Sequence, residues 1–369
     1  MNPASHPRII VKIGSSLLVD EGGAVRREWI EGVVADIAAR RAQGQEIIIV
    51  SSGAIALGAR KLGLAKGGRA SLEDAQAAAA TGQIALSQCW ADLLDKQGIT
   101  AAQILVTLGD LEDRRRYLNA AATLDRLVSL GVIPVINEND SVATNEIRFG
   151  DNDRLAARVA QAAKAHGVIL LSDVDGLYTV DPARDPLAKR IEAVTAITPA
   201  IAAIAGSGTS SGMGSGGMAS KIEAARIANA AGVDLAIVSG LFANPLARLA
   251  RENCGTVFTA ERGKSARKAW LAGRLNVRGR IMIDAGALGA LRRGASLLAA
   301  GATRVEGKFS RGDVIDVVDA DNLTVARGLS EYDSDEAVKI AGRRSDAIEA
   351  ILGYAPRTAM IHRDHMAML

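Results

Sequence analysis

The sequence predicts an α/β sandwich around a mainly parallel sheet, followed by a smaller, mostly β domain. Short, continuously apolar runs alternate with longer runs of helical character over about the first 240 residues. These apolar runs lack the polar alternation of half-exposed strands, which is typical of parallel strands covered on both faces. After about residue 260 the pattern changes to short strands separated by glycine turns. The alternation of strands and helices, followed by this strand-rich segment, predicts two domains.

Six apolar runs are predicted as strands of the first domain, at residues 8–13, 46–51, 101–107, 132–136, 168–172 and 233–239. Helices are predicted between them near residues 27–43, 72–97, 115–130, 153–165 and 218–231. In the fourth of these helices, Leu155, Val159 and Ala162 fall on one face at helical spacing. A further helix is expected to open at residues 51–53, directly after the second strand.

The predicted domain boundaries follow the changes in composition. The first domain covers residues 1–260, a basic linker or domain edge covers 261–279, the mostly β domain covers 280–358, and a C-terminal tail covers 359–369. In the second domain, strands are expected in RIMID, DVIDVV and NLTVAR, with a helix in DEAVKIAGRR. The Ser/Gly-rich stretch 206–217 is too short for an interdomain linker, which favours a functional loop.

Composition excludes several classes of protein. With 49% hydrophobic residues in 369, the chain can bury a large core, and its net charge of only +3 does not indicate bulk nucleic-acid binding. Two cysteines are too few for a disulfide scaffold. No apolar run approaches the roughly 20 residues that a membrane helix needs, and no signal peptide is evident. We therefore expect a soluble, cytoplasmic protein, and the four histidines show no metal-ligand spacing.

Three polar loops follow predicted strands, at residues 12–18, 51–59 and 137–153. Ligands of α/β proteins bind at the carboxyl ends of the strands, so these loops are expected to converge on one site. Lys12 interrupts an apolar strand and needs a counter-charge, which a phosphate, Asp151 or Asp153 can provide. Asp153 is also placed to favour the start of a helix, which is its purely structural interpretation.

A glycine-rich loop enters the helix that carries Lys221. It contains a GxGxxG match at Gly212, Gly214 and Gly217, but a Ser/Gly coil instead of a strand precedes it. A nicotinamide site is therefore not expected. The loop also lacks the complete Walker A pattern. What remains is a flexible loop that can fold over phosphates, with Lys221 meeting their charge.

Taken together, several motifs resemble the glutamate 5-kinases of the amino acid kinase superfamily. The resemblance is carried by VKIGSSLL, SSGAIALG, VIPVINENDSVAT, FGDNDRLAA, LLSDVDGLYTVDP and GMGSGGMASK, in this order. The C-terminal part resembles a PUA domain. Ser15 and Ser172 stand where threonine is usual, and both keep a hydroxyl. The resemblance implies ATP-dependent phosphorylation of the side-chain carboxylate of L-glutamate to L-glutamyl 5-phosphate, the first step of proline biosynthesis, with Mg²⁺, feedback inhibition by proline and a homo-oligomeric state.

The resemblance also implies roles for individual residues. The catalytic set is Lys12, Lys221 and Asp153. The substrate-binding set is Ser52, Asn137, Asp140, Asp151 and Asn152. The ATP-binding set is Lys12, Gly14, Ser172, Asp173, Ser215, Gly216, Gly217, Met218, Ala219, Ser220 and Lys221. No protein residue is assigned as a metal ligand.

The implied chemistry explains why these residue types are needed. The nucleophile is a carboxylate that is already ionised at neutral pH, so no general base is required. The difficulty is bringing two anions together, which calls for positioning and for neutralisation of charge by lysines. Asp140 is expected to hold the amino-acid ammonium, while Asn152 and Ser52 are expected to orient the carboxylates by hydrogen bonds.

Two alternatives stay open at the level of sequence. Within the superfamily, the chain could be an acetylglutamate kinase, an aspartokinase or a uridylate kinase. Acetylglutamate kinases usually show two glycines where this chain has Gly14 and Ser15, and a free ammonium explains Asp140 better than an acylated amine does. Outside the enzymes, the PUA-like domain could make the chain an RNA-binding regulatory protein. Residues 280–358 have nearly balanced charges and few aromatics, so nucleic-acid binding is not expected.

Overall fold

The computed structural model describes residues 6–20, 22–142, 152–182, 184–206, 217–252, 254–260, 277–354, 357 and 359–369. The chain forms two compact units, Met1–Arg262 and Gly263–Leu369. This division lies close to the boundary that the sequence predicts at residue 260. Of the helices described, none combines the length and the apolar character needed to cross a membrane.

The first unit is built on an eight-stranded sheet in the order β3-β4-β2-β1-β5-β9-β10-β8. Six neighbouring strands, from β3 to β9, are parallel, and β10 runs antiparallel to β9. The predicted α/β sandwich around a mainly parallel sheet is confirmed. The strands of this unit are β1 Arg8–Ile13, β2 Glu46–Val50, β3 Ala101–Val106, β4 Ile133–Glu138, β5 Gly167–Ser172, β6 Leu177–Tyr178, β7 Arg190–Ile191, β8 Ala193–Val194, β9 Asp234–Ser239 and β10 Thr256–Phe258.

Helices cover both faces of this sheet. They are α1 Ser15–Leu18, α2 Arg27–Ala42, α3 Ala54–Leu62, α4 Leu72–Asp95, α5 Leu108–Glu112, α6 Arg114–Ser129, α7 Asn152–Ala162, α8 Pro199–Gly206, α9 Met218–Ala230 and α10 Pro245–Glu252. Successive residues of β1 point to opposite faces, as the pleat of a strand requires. Ile10 packs in one core with residues of α7 and α9, whereas Ile9 and Val11 pack in another with residues of α2 and α4.

The strand pattern of the sequence is accurate in the centre of the sheet and weaker at its edges. β3 is an edge strand and only partly buried, because β4 is its single neighbour in the sheet. The short strands β8 and β10, and the helices α1, α5, α8 and α10, were not predicted. Each is too short to show a clear period.

The second unit contains a five-stranded sheet in the order β12-β11-β13-β14-β15. Its strands are β11 Gly279–Ile283, β12 Ala302–Gly307, β13 Val314–Val318, β14 Thr324–Leu329 and β15 Met366–Met368, and its helices are α11 Ala285–Arg292, α12 Ser334–Ile340 and α13 Ser345–Leu352. The predicted mostly β character is confirmed. The predicted C-terminal tail is wrong, because β15 pairs with β14 and Ile361 is fully buried.

Helices α3 and α4 approach each other unusually closely through two glycines. A Cβ atom on Gly58 would lie 1.8 Å from the backbone oxygen of Ala78, and one on Gly82 would lie 1.9 Å from the backbone oxygen of Ala54. Backbone cannot move away as a flexible side chain can, so both positions require glycine. This contact fixes α4 against the start of α3, just after the loop at residues 51–53.

We expect Gly82→Ala to destabilise the first unit by about 1–3 kcal/mol, because the added methyl group overpacks the contact between α3 and α4. The measurement is urea unfolding followed by far-ultraviolet circular dichroism. Gly109→Ala, in α5, is the matched control, since a Cβ atom there meets only Thr107 Oγ1 at 3.6 Å. Equal stabilities of the two variants would contradict this account of the helix contact.

Candidate active site

The polar residues singled out in the sequence lie at the carboxyl ends of four parallel strands. Lys12 lies near the end of β1, where it pairs with Val50 of β2 and Leu170 of β5. The 51–53 loop follows β2, the 137–140 segment ends and follows β4, and Ser172 ends β5. Because these strands run in the same direction, their ends form one edge of the sheet. The predicted convergence of the loops is therefore present among the described residues.

The strand pleat directs Lys12 beneath α7 and α9. Lys12 lies two residues after Ile10, so the two side chains share a face of the sheet. Ile10 belongs to the core that contains Leu155 of α7 and Ile222 of α9. The first turns of these two helices carry Asp153 and Lys221 respectively.

Three buried charged side chains meet at this point. Lys12 Nζ lies 2.6 Å from Asp153 Oδ1, and Lys221 Nζ lies 3.2 Å from Asp153 Oδ2. The residues are 7%, 1% and 6% exposed in the order Lys12, Asp153, Lys221. Burial by itself would raise the pKa of Asp153, but the two adjacent ammonium groups outweigh it and lower that pKa. These three described side chains alone carry two positive charges and one negative charge, and a cationic pair of this kind suits an anionic ligand.

A neutral cluster of amides and serines lies beside the charged centre. Asn152 Nδ2 donates to the backbone oxygen of Ser51 at 3.1 Å, to Ser52 Oγ at 2.8 Å and to Asn137 Oδ1 at 3.0 Å. Asn137 Oδ1 also accepts from the backbone N–H of Glu138 at 2.9 Å. A backbone oxygen only accepts and a backbone N–H only donates, so both amide orientations are fixed by the main chain.

This orientation changes the role expected for Asn152. Its two N–H hydrogens are shared among three oxygens of the protein, and its Oδ1 is buried with no hydrogen-bond partner among the described residues. Asn152 therefore presents an acceptor, whereas the sequence analysis expected it to donate to a carboxylate. Ser52 Oγ accepts from Asn152, which leaves its own O–H able to donate.

Asp140 supplies a second buried acceptor. Its side chain is 5% exposed, and its Oδ1 has no hydrogen-bond partner within the described part of the chain. Burial raises the pKa of Asp140 to about 6, although the nearby Arg69 opposes this. Asp140, Gln83 and Glu138 line a common cavity of about 220 Å³. A buried carboxylate of this kind suits a cationic group of a ligand.

Two further predicted residue groups lie at neighbouring strand and helix ends. Ser172 Oγ donates to Asp173 Oδ1 at 3.1 Å. Gly217 precedes α9, and the backbone N–H groups of Met218 and Ala219 open this helix, with Ser220 and Lys221 following in its first turn. The N-terminus of a helix carries a partial positive charge and favours phosphate groups. Gly14 joins β1 to α1, and its N–H donates to the backbone oxygen of Leu171 at 3.3 Å.

Some of the predicted site residues lie outside the described residues. These are Asp151, Ser215 and Gly216. Within the part of the chain that is described, no three His, Cys, Asp or Glu side chains come together in a way that could hold a metal ion.

Two residues of α4 that support the site carry no recognisable signal in the sequence. Trp90 Nε1 donates to Ser51 Oγ at 3.0 Å, and Asn137 Nδ2 donates to Gln83 Oε1 at 2.7 Å. Both lie within a continuous helical pattern, far along the chain from the loops they contact. No local motif distinguishes such positions from ordinary helix residues.

We expect the pKa of Asp140 to determine how kcat/KM depends on pH. An aspartate with a raised pKa carries its charge only above about pH 6, so binding of a cationic group is lost as the pH falls through that value. In assays with an amino-acid substrate, kcat/KM should fall about tenfold per pH unit below pH 6, because this ratio reports the free protein.

The substitution Asp140→Asn keeps the shape of the side chain and removes its ionisable carboxyl group. In the variant, kcat/KM should be low and nearly independent of pH between 5 and 7. In the absence of ligand, the variant should also be more stable than the parent above pH 6, because a raised pKa makes ionisation costly to the fold. An unchanged pH profile in the variant would assign the titration to another group.

Comparison with known proteins finds family models and relatives that match most or all of the chain. A model of the amino acid kinase family matches residues 7–239, and a model of the PUA domain matches residues 279–352. The chain is 69% identical over 367 residues to the glutamate 5-kinase of Sphingopyxis alaskensis, covering 100% of this chain and 99% of the relative. It is 61% identical to the glutamate 5-kinase of Zymomonas mobilis, covering 100% of this chain and 92% of that relative.

The fold is also found in more distant proteins. The structure of a carbamate kinase from Giardia lamblia bound to AMP-PNP superposes with a TM-score of 0.50 at 14% identity. It covers 70% of this chain and 100% of the carbamate kinase chain. At this identity the likeness concerns the fold alone.

Proposed function

Because the chain belongs to the glutamate 5-kinase family, we propose that it transfers the γ-phosphoryl group of ATP to the side-chain carboxylate of L-glutamate. The products are L-glutamyl 5-phosphate and ADP, and the reaction is the first step of proline biosynthesis. The observation that carries this proposal is the pairing of two different sites at one sheet edge. A cationic centre at Lys12, Asp153 and Lys221 lies beside the amides of Asn152 and Asn137, and Asp140 follows shortly after Asn137 along the chain.

The cationic centre suits transfer between two anions. The glutamate carboxylate attacks the γ-phosphorus and the bond to the bridging oxygen of ADP breaks, so no proton has to be removed from the nucleophile. Lys12 and Lys221 neutralise the charge of the migrating group. Asp153 binds one ammonium group with each carboxylate oxygen and so sets the spacing of the two lysines. We assign Asp153 to this positioning role, with no contact to substrate required.

The amide cluster suits an α-amino acid with a free ammonium group. Asp140 Oδ1 and Asn152 Oδ1 offer two buried acceptors, which can take two of the three N–H donors of an ammonium. The hydroxyl of Ser52 is left to donate to a carboxylate. An N-acetylated amine is uncharged and has a single N–H, so it would leave part of this acceptor set unmatched. This favours glutamate over acetylglutamate.

The nucleotide is proposed to bind across the first turn of α9. Gly217, Met218 and Ala219 offer backbone N–H groups to the phosphates, and Ser220 lies in the same first turn, where the helix dipole is positive. Ser172 and Asp173, at the end of β5, are assigned to the same nucleotide. Mg²⁺ bound to ATP neutralises phosphate charge, and we propose that the nucleotide phosphates supply most of its ligands.

The direct test is ADP release by the full chain with different acceptors. L-Glutamate should support release, and L-aspartate, N-acetyl-L-glutamate and UMP should support little. Removing Mg²⁺ with EDTA should abolish the glutamate-dependent rate. Absence of glutamate-dependent ADP release from folded protein would refute the proposed function.

We predict that substitutions of Lys221 and Asp140 affect different kinetic constants. Lys221→Met should lower kcat roughly 10²–10³-fold, because it removes a preorganised donor to charge that develops in the transition state. Asp140→Asn should mainly raise the KM for glutamate, because its contact with the ammonium is similar in ground and transition states. Steady-state kinetics at saturating ATP separate the two effects.

Lys61→Met is the matched control for Lys221→Met, because Lys61 is exposed on α3. It should leave both constants within about twofold of the parent values. Circular dichroism checks that each variant is folded. If Asp140→Asn lowers kcat at saturating glutamate and leaves the KM alone, Asp140 belongs with the catalytic groups instead.

We also predict inhibition by proline in competition with glutamate. Proline is a cyclised relative of glutamate with a cationic amine, so the acceptors Asp140 and Asn152 fit its charged nitrogen. Raising glutamate to saturation should therefore restore the rate at fixed proline. If inhibition is the same at low and saturating glutamate, proline binds elsewhere or does not act through this site.

The remaining properties implied by the family resemblance stay predictions. A homo-oligomeric state is tested by size-exclusion chromatography with light scattering, and a cytoplasmic location by cell fractionation. The PUA domain, matched at residues 279–352, is assigned no role in the chemistry. Every residue proposed above to contact glutamate or ATP lies in the first unit.

A further inference from the structure

We propose that Gln83, held in place by Ser87 on the same helix, is a positioning residue that pairs the other end of the Asn137 amide and so supports the polarity that the main chain gives to Asn137 and Asn152 at the glutamate site. The inference rests on the proposed function and adds a specificity device to it. It concerns α4, which carries none of the residues proposed above to contact glutamate or ATP. A series of hydrogen bonds, each with a defined donor and acceptor, leads from this helix to Asn152 Oδ1, which is proposed to face the substrate.

This series of hydrogen bonds starts at Ser87, whose hydroxyl hydrogen is already used. Ser87 Oγ donates its hydrogen to the backbone oxygen of Gln83 at 2.7 Å. A hydroxyl has a single hydrogen, so toward the Gln83 side chain Ser87 Oγ only accepts. It accepts from Gln83 Nε2 at 3.1 Å. The Gln83 amide is therefore oriented with Oε1 pointing toward β4.

The next step crosses from α4 to β4. Asn137 Nδ2 donates to Gln83 Oε1 at 2.7 Å, and Asn137 Oδ1 accepts from the backbone N–H of Glu138. Both ends of the Asn137 amide are thus fixed, one by Gln83 and one by the main chain. A flipped Asn137 would place an oxygen against Gln83 Oε1 and an NH₂ group against the Glu138 N–H.

The last step crosses from β4 to α7. Asn137 Oδ1 and the backbone oxygen of Ser51 both accept from Asn152 Nδ2. The Asn152 amide is therefore left with Oδ1 as its substrate-facing atom. An oxygen at this point binds the ammonium of an amino acid and repels a carboxylate. Gln83 thus supports substrate selection through the Asn137 amide, in addition to the main-chain contacts of Glu138 and Ser51.

Two observations connect this relay with the glutamate site. Gln83 and Asp140 line the same cavity, so the relay begins beside the second acceptor of the ammonium. Asn152 Oδ1 is buried and has no hydrogen-bond partner among the residues described. Asn152 itself is 2% exposed. A buried acceptor kept in one orientation by a directed relay is suited to a donor supplied by the substrate.

The test compares Gln83→Met with Gln88→Met in the full chain. Methionine is similar in size to glutamine but cannot accept from Asn137, which leaves a buried donor unpaired. We expect the KM for glutamate to rise roughly tenfold, the size that one such unpaired group supports. The kcat and the KM for ATP should change less than about twofold. Gln88 lies on the same helix, and its side chain bonds Asp92 at an exposed position, so Gln88→Met should change nothing.

A second pair of variants tests the origin of the polarity. Ser87→Ala removes the acceptor that orients Gln83, so it should raise the KM for glutamate in the same direction as Gln83→Met. Ser87→Thr keeps a hydroxyl that can bond the same backbone oxygen, and it should restore the parent KM. Glutarate, which has no amino group, should inhibit the parent and Gln83→Met with inhibition constants within about twofold. A general loosening of the site would weaken glutarate as well.

The outcomes separate this inference from the proposed function. If the parent protein shows no glutamate-dependent ADP release, the proposed function fails and the relay fails with it. If the parent is active and Gln83→Met behaves like Gln88→Met, the relay alone is wrong. A rise in the KM for ATP equal to that for glutamate would also overturn it, because Gln83 would then support the fold of the whole site.

Discussion

The arrangement of this protein depends on a buried carboxylate that holds two lysines. Asp153 is almost fully buried and binds Lys12 from the central strand and Lys221 from α9. Removing charges from water is costly, and the carboxylate of Asp153 offsets that cost for both lysines. In the proposed function, a phosphate group of the nucleotide supplies further negative charge to the two lysines. The same ion pairs therefore stabilise the sheet edge and prepare it for an anionic ligand.

Two adjacent residues at the start of α7 link the two halves of the site. Asp153 faces the lysines, and Asn152 faces the amides and serines at the ends of β2 and β4. Successive helix residues point in directions about 100° apart, so neighbouring positions serve two clusters without competing for space. One helical turn thus contacts both the lysines proposed to bind phosphate and the amides proposed to face the amino acid.

The sequence alone predicted the sheet, the strands near its centre and most of the charged site. Lys12 is identifiable because a lysine inside an apolar strand needs a counter-charge, for which a phosphate, Asp151 and Asp153 are the three candidates. The polarity of Asn152 could not be predicted, because it depends on which protein oxygens take its hydrogens. Gln83 and Ser87 were missed for a related reason, since their partners lie on another element. The strand at Met366–Met368 was missed because three residues show no period.

Specificity in such a fold has to come from side chains at the strand ends. The carbamate kinase shares the fold at 14% identity, so the backbone arrangement alone does not choose the substrate. For the proposed function, we infer that the choice depends on the balance of donors and acceptors: Asp140 and Asn152 Oδ1 are available to accept, and the Ser52 hydroxyl is available to donate. A site with this arrangement of donors and acceptors would preferentially bind a ligand with a cation at one end and carboxylates at the other. A ligand with an acylated amine leaves buried acceptors unmatched, and such unmatched groups discriminate more strongly than added contacts do.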